Sequence, residues 1–445
     1  VTSSSTIYRS LLLLAAVLCT AKALPAQDWV RAQTGLGKEK PRVAVANFAP
    51  RNDQTRTHSL AFTQVVRDDL AFSGILELVS PSFYPQQVPT IPGELNNQAW
   101  KDPQINADMV AFGNLTESAT EVEIQAWLYD VNGSSTQAMI GKVYRGAPTD
   151  AQVRKFAHQF ADEILSKLTG QPGIASTQIA FVSSRTGSKE IWVMDYDGSN
   201  QHPLTSLRTI SLTPRWSPDA SRIAFTCFAP YRNIVSPQLC MYSVDAGKVL
   251  TFPRFRGTNA SPAWSPDGAR LMFSSSMLGN PELFVSDSSG GSPKRLTFSN
   301  GASTSPAWNP KTGNSVVFVS DRGGIPKLYQ MNADGTNSGE LDVPDKGYLI
   351  DPAWAPNGQL LAFSWRRPEG NYDIYIMDVA TRQIVEITRD SGRNERPSWA
   401  PDGRHIVFES TRGGARQIWV MLATGEGARQ ITTQGHNESP NWSTR

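Results

Sequence analysis

Six triplets of one form recur through the second half of the chain: Pro214-Arg215-Trp216, Pro262-Ala263-Trp264, Pro306-Ala307-Trp308, Pro352-Ala353-Trp354, Pro397-Ser398-Trp399 and Pro440-Asn441-Trp442. A turn follows each of the first five: Ser217-Pro218-Asp219, Ser265-Pro266-Asp267-Gly268, Asn309-Pro310, Ala355-Pro356-Asn357-Gly358 and Ala400-Pro401-Asp402-Gly403. Proline presets φ at the first central turn position, Asp or Asn bonds its own backbone, and Gly accepts positive φ. The triplets lie roughly 43–48 residues apart, the spacing of propeller blades built from short strands and turns.

Working outward from each turn, the same units recur. A short apolar strand comes first: Ile223-Ala224-Phe225, Leu271-Met272-Phe273, Val316-Val317-Phe318, Leu361-Ala362-Phe363 and Ile406-Val407-Phe408. An alternating strand follows with an aromatic at a fixed place, namely Tyr242, Phe284, Tyr329, Tyr375 and Trp419. Four half-buried strands per unit can hide their apolar faces only between neighbouring blades.

The ends of the series fit together. Before the first triplet stand Ile179-Ala180-Phe181, Ile191-Trp192-Val193 and Leu204-Thr205, a unit without its opening strand. The sixth triplet is an opening strand without a unit. The two sum to one blade, so the expected ring has six blades, with the strand around Trp442 completing the blade begun at Ile179. Such a joint leaves no open sheet edge.

Upstream, Tyr8-Arg9 precedes an apolar run over residues 11–18, followed by small residues at Ala21, Ala23 and Ala26. A charged, an apolar and a cleavage region in this order predict a signal peptide over residues 1–26 and export of a protein not inserted in the membrane. Cys19 follows Leu18, where a lipidation signal would carry a small residue. Residues 27–40 are polar, contain Gly35 and Gly37, and are expected to be flexible. Residues 41–170 predict a mixed α/β domain: strands near 41–48, 75–79, 107–115, 121–131 and 137–145, with helices over 57–72 and 150–168. The fold class is thus multidomain, an N-terminal mixed α/β domain followed by a propeller over 171–445.

Composition excludes some functions. The 445 residues carry a net charge of +2 with no long basic run, which argues against nucleic acid as a partner. The five histidines are scattered, no Gly-x-Ser-x-Gly elbow or phosphate loop occurs, and Asp195-Tyr196-Asp197-Gly198 lacks the glutamate that closes a calcium loop. No catalytic residue, cofactor or metal is expected, and the protein is expected to be a monomer. Cys227 and Cys240 lie on the two strands of one hairpin, where either a disulfide or buried thiols can stand.

Binding at the propeller mouth is the stronger expectation. Residues just before each Pro-x-Trp vary while their neighbours repeat, and ring closure brings them to one rim. The candidates are Asn259, Ser261, Thr304, Ser305, Asp351, Glu395, Arg396 and Glu438, all expected to be dispensable for the fold. The alternative is a secreted propeller enzyme, or a propeller holding a small ligand or cation in its channel.

The domain junction sharpens this. Leu128-Tyr129-Asp130-Val131, Ala157-His158 with Ala161-Asp162, Leu168-Thr169-Gly170, Gly173, and Thr177 before Ile179-Ala180-Phe181-Val182 resemble the junction of the TolB family, the periplasmic propellers of the Tol-Pal system. With domain order and closure, the resemblance covers nearly the whole chain beyond the leader. It implies a non-catalytic periplasmic adaptor supporting outer-membrane integrity and constriction during division. It also implies that Pal, the peptidoglycan-associated lipoprotein, binds the mouth. The inner-membrane protein TolA would read the N-terminal segment, here Asp28, Trp29, Val30 and Arg31, although these residues match the family's strand-like segment poorly.

Overall fold

The computed structural model describes residues 28–133, 137–343, 347–368, 370–389 and 391–445. The expected leader, with Cys19, and Gln27 lie outside the described residues.

In the N-terminal domain β1 (Arg42–Val45) comes first, with β2 (Ala49–Pro50) and α2 (Arg56–Phe72) next in the chain. Then come β3 (Glu77–Leu78), β4 (Met109–Glu117), β5 (Val122–Asp130), β6 (Ile140–Gly146) and a long helix over Asp150–Thr169. The sheet runs β3-β1-β4-β5-β6, with β2 also pairing β4; β1 is parallel to β3 and β4, and the β4-β5-β6 meander is antiparallel. In the long helix Val153, Phe156, Ala157, Phe160, Ala161, Ile164 and Leu165 are buried, an apolar stripe at helical spacing. That stripe and the matching face of α2 cover one side of the sheet. Thr149 caps the helix by accepting from Gln152 N–H, and Gly170 at φ 71° ends it.

The second domain is six four-stranded antiparallel sheets. The first blade comprises Ser211–Trp216, Arg222–Tyr231, Ile234–Ser243 and Lys248–Leu250, in that order from the channel outward. In the sixth, the late strand Asn437–Trp442 pairs with Gln178–Ser183, which is followed by Glu190–Asp195 and His202–Pro203. Ring closure through Trp442 is therefore as the repeat arithmetic requires. Adjacent residues of a second strand face opposite neighbours: Ile223 and Phe225 pack toward the sixth blade, Ala224 toward the second. Burial on both faces explains why these strands read as unbroken apolar runs.

The domains are joined by specific polar contacts. Asp69 on α2 pairs with His158 Nδ1 at 2.7 Å and accepts from the Tyr196 hydroxyl of the propeller, and all three are buried. Burial pushes the Asp69 carboxyl upward, and the bonds to His158 and Tyr196 recover only part of that. Arg154 pairs with Asp197, so the calcium-like loop is an interdomain tie. Asp162 accepts from the backbone N–H of Ala175 (2.8 Å) and Ser176 (2.9 Å), clamping the linker. A Cβ at Gly173 would stand 2.0 Å from that carboxylate, which is why glycine occupies the position. His405 Nε2 meets Phe72 O at 2.7 Å, and its ring stacks on Phe72. The Trp end of each inner strand thus faces the N-terminal domain, and its beginning faces away.

Two expectations change. Residues 27–40 were expected to be flexible, but Asp28–Thr34 form helix α1, docked on the fourth and fifth blades. Val30 is fully buried among Ala355, Leu360 and Ala423; Gln33 donates to Asp378 (2.6 Å) and Arg31 pairs with Glu426 (2.5 Å). An apolar Trp29-Val30 step in a polar stretch was the available signal. Cys227 and Cys240, left open above, form a disulfide with Cα atoms 5.9 Å apart. Their register is diagonal, since Cys227 faces Gln238 and Cys240 faces Phe225.

Candidate functional site: the propeller mouth

Each inner strand carries one extra residue relative to its partner. In the first blade Leu212 faces Thr226 and Arg215 faces Ala224, a β-bulge, and the same shift recurs in all six. The residue before each Pro-x-Trp absorbs it with positive φ: Thr213 (49°), Ser261 (54°), Ser305 (49°), Asp351 (53°), Arg396 (54°) and Ser439 (54°). A left-handed residue other than glycine costs on the order of 1–3 kcal/mol and persists where surrounding structure fixes it. At three of the six, a fixing contact comes from the preceding blade. Ser261 N–H donates to Thr226 Oγ1 (3.2 Å), Arg396 N–H to Ser364 Oγ (3.0 Å) and Ser439 N–H to Glu409 Oε2 (2.7 Å).

The tryptophans brace this ring from below. Indole N–H groups of Trp264, Trp354 and Trp399 donate to the carbonyls of Arg215, Ala307 and Ala353, the middle residues of the preceding triplets. The six triplets enclose a cavity of about 380 Å³ in the half of the channel nearer the N-terminal domain.

Above the tryptophans the ring is chemically lopsided. Ser261, Thr304 and Ser305 make the side over the second and third blades, half-buried and hydroxyl-bearing. Asp351, Glu395, Arg396 and Glu438 lie on the fourth to sixth blades. Arg416 gathers two of these and a neighbour, reaching Glu438 at 3.2 Å, Glu395 at 3.9 Å and Glu409 at 3.1 Å. Arg396 lies 3.5 Å from Glu409 and donates to Ser439 Oγ. Arg393 is bidentate on Glu395 (2.8 and 3.0 Å), and Lys189 holds Glu438 at 2.5 Å.

Electrostatics follows from this packing. Burial alone would lower the Arg396 guanidinium, but Glu409 and Asp351 reverse the sign and hold it cationic. Burial pulls Arg215 down to about 10, with Asp351 opposing and Arg396 adding to the shift. Burial pushes the carboxyls of Asp351 and Glu409 upward against the pull of the arginines. Glu409 and Glu395 are directly opposed on adjacent strands, and arginines on both sides offset that like-charge pairing.

The sequence-derived candidates therefore divide. Asp351, Glu395, Arg396 and Glu438 converge; Ser261, Thr304 and Ser305 occupy the facing wall. Asn259 does not belong to the mouth. It is fully buried, donates to Phe255 O and Gly257 O, and accepts from Ser275 Oγ at 2.6 Å. Its role is to fasten a loop, as Asn394 and Asn437 do in their blades. Arg396, Glu395 and Asp351 are likewise bonded into the ring, so replacing them, or Asn259, is now expected to cost stability. Asp28, Trp29, Val30 and Arg31 lie elsewhere, on docked α1.

Two central residues, Glu409 and Arg416, escaped the sequence reading. The signal for Glu409 was present. The position after the second-strand Phe holds Val182, Thr226, Ser274, Val319 and Ser364 in the other blades, so a glutamate there departs from the repeat. Among the described residues no group of three or more His, Cys, Asp or Glu is disposed to hold a metal ion, and no helix is long and apolar enough to cross a membrane.

Comparison with known proteins places this geometry. The TolB amino-terminal domain family matches residues 34–137, and the TolB beta propeller domain family matches residues 165–349 and 340–445. The Tol-Pal system protein TolB of Bordetella parapertussis is 30% identical over 437 residues, covering 97% of this chain and 93% of the relative. A TolB homolog of Chlorobium chlorochromatii is 34% identical over 260 residues, 58% of this chain and 56% of its own. The crystal structure of TolB from Acinetobacter baumannii superposes with a TM-score of 0.76 at 25% identity, covering 91% of this chain and 97% of that one. The family matches, the near-complete alignment and the shared two-domain architecture lead to one conclusion: this chain belongs to the TolB family of Tol-Pal system proteins.

Proposed function

We propose that the protein is a non-catalytic periplasmic adaptor of the Tol-Pal system that binds Pal at the propeller mouth and TolA through residues 28–31. In this role it supports outer-membrane integrity and constriction at division. The observation that carries the reading is the charged ring over the fourth to sixth blades. Arg396, Glu409 and Arg416 are held rigidly, while Arg393 and Lys189 keep 46% and 41% of their side-chain surface in water. Fixed charges with exposed neighbours suit recognition of a folded partner by charge complementarity, so association with Pal should weaken as salt rises. The predicted leader supports the periplasm, and membership of the family supports the Tol-Pal setting.

The TolA arm has a structural consequence. Val30 is buried against the propeller, so a partner that reads residues 28–31 must first take α1 from its groove, and its apparent affinity falls by the fraction undocked. Deleting residues 27–40 should abolish TolA binding and leave Pal binding intact. Stability should fall by about 1.5–3 kcal/mol, the worth of burying one valine-sized side chain. Titrations of purified TolA and Pal into the deleted protein, with urea melts alongside, check all three. TolA binding at wild-type affinity would overturn the assignment of the segment; loss of Pal binding as well would make α1 part of the mouth's scaffold.

A further inference from the structure

The first blade differs from the others in one element. Its second and third strands are ten residues each, Arg222–Tyr231 and Ile234–Ser243, against six in most blades. The extra length is a two-stranded ribbon pairing Phe228–Pro237, Ala229–Ser236, Pro230–Val235 and Tyr231–Ile234. Arg232 and Asn233 close it with φ 47° and 68°, the two successive positive values of a tight hairpin turn. It extends beyond its blade's inner and outer strands on the face away from the N-terminal domain, and the Cys227–Cys240 disulfide ties its base.

The tip is apolar on both faces. Residues directly opposite share a face of the ribbon, so Tyr231 and Ile234 lie on one and Pro230 and Val235 on the other. Ile234 is 70% and Val235 64% exposed. Prolines 230 and 237 remove backbone donors, which disfavours capture of an added strand.

Two loops flank the ribbon. Phe228 N–H donates to Ile210 O, Arg254 Nη1 donates to Pro230 O (2.7 Å), and Gln238 exchanges bonds with Phe255. The loops add exposed Leu207 and Ile210, and with the tip they carry the exposed arginines Arg208, Arg232, Arg254 and Arg256. Residues 206–211, 228–238 and 251–259 contain no Asp or Glu. The nearby Glu190 is buried and accepts from Arg208 N–H and Thr205.

We infer that this ribbon and its two flanking loops form a docking surface for an anionic phospholipid bilayer, the tip entering the interface end-on. The two-faced tip decides the class of occupant. A protein surface laid against one face would leave the other apolar pair in water, whereas a bilayer receives a ribbon tip from both sides. The surrounding arginines, without acids between them, complement lipid phosphates, and tyrosine beside the turn suits the headgroup level.

The test is sedimentation of the purified protein with vesicles of phosphatidylethanolamine and phosphatidylglycerol, against vesicles of phosphatidylcholine alone. Wild type should partition to the anionic vesicles and release as salt rises. Ile234→Ser/Val235→Ser should weaken that about tenfold or more with an unchanged melting temperature. In an independent arm, Val235→Trp should show a blue shift of its emission, relative to wild type, on adding anionic vesicles. Equal partition to both vesicle types, no partition of wild type, or a double variant that partitions like wild type would each overturn the inference. So would an emission shift in Val235→Trp caused by added Pal but not by vesicles, which would make the tip a protein contact.

Discussion

Cutting Trp442 to alanine should cost the propeller about 3–5 kcal/mol, and removing residues 439–445 should cost more. The indole is 3% exposed and packs among Ile179, Phe181 and Met194 of the blade it completes. Its Nε1–H donates to Thr177 Oγ1 at 2.7 Å, and its backbone N–H to Ser398 Oγ at 3.1 Å. One residue thus ties the fifth blade to the sixth and the end of the ring to its beginning. Neighbouring contacts extend the seam: Gln178 N–H donates to Ser443 Oγ, Trp216 N–H to Asn441 Oδ1, and Thr444 to Pro218 O in the first blade. The truncation removes these together and bares the edge of Gln178–Ser183, a row of unpaired backbone groups prone to association. Urea and thermal melts of Trp442→Ala and of the truncated protein read both effects. A truncated protein that melts as wild type does would contradict closure as the source of the ring's stability.

The second large effect belongs to Glu409. Its carboxylate, 2% exposed, answers Arg416, Arg396 and the backbone N–H of Ser439. Glu409→Val should cost about 3–5 kcal/mol, because it leaves cations and an amide in a site built around an anion. Valine itself fits the place, since Val182 and Val319 occupy it in two other blades. Adding Arg396→Ser restores the pairing of a small second-strand residue with a serine bulge found elsewhere in the ring. The double variant should therefore recover part of the loss. Comparison of the single and double variants in urea separates the two ideas. A single variant as stable as wild type would show that the network contributes nothing to the fold.

How much of this was legible in the sequence depends on what each residue answers to. Pro-x-Trp, the turn after it and the second-strand Phe answer to local backbone rules and to burial on both faces of a blade; the triplet and the Phe recur six times and the turn five. Repetition made the blade count, the closure through Trp442 and the order of the domains readable. The bulge before each proline is not legible, because Thr213, Ser261, Ser305, Asp351, Arg396 and Ser439 share a conformation but range from hydroxyls to an acid and a base, and none is the glycine that positive φ favours. Asn259 looked like a rim residue because it is polar and varies. Its burial depends on Gln238 and Ser275, partners 21 and 16 residues away, which only strand register supplies. Glu409 and Arg416 sit on the second strand and just before the third, outside the variable loops before each Pro-x-Trp. Helix α1 was hidden for a different reason: seven residues form a stable helix only because Val30 has a groove to fill.

The measurement that bears most directly on the central claim is a calorimetric titration of Pal into wild type and Arg393→Ala/Lys189→Ala, with Ile234→Ser/Val235→Ser as the control. Arg393 and Lys189 are exposed cations bonded to the charged ring, and neither follows the apolar pattern of a blade. The first double variant should lose about 2 kcal/mol of Pal affinity, roughly thirtyfold, with its melting temperature nearly unchanged. The hairpin variant should bind Pal as wild type does. A mouth variant with wild-type affinity would place Pal on another face and contradict the account.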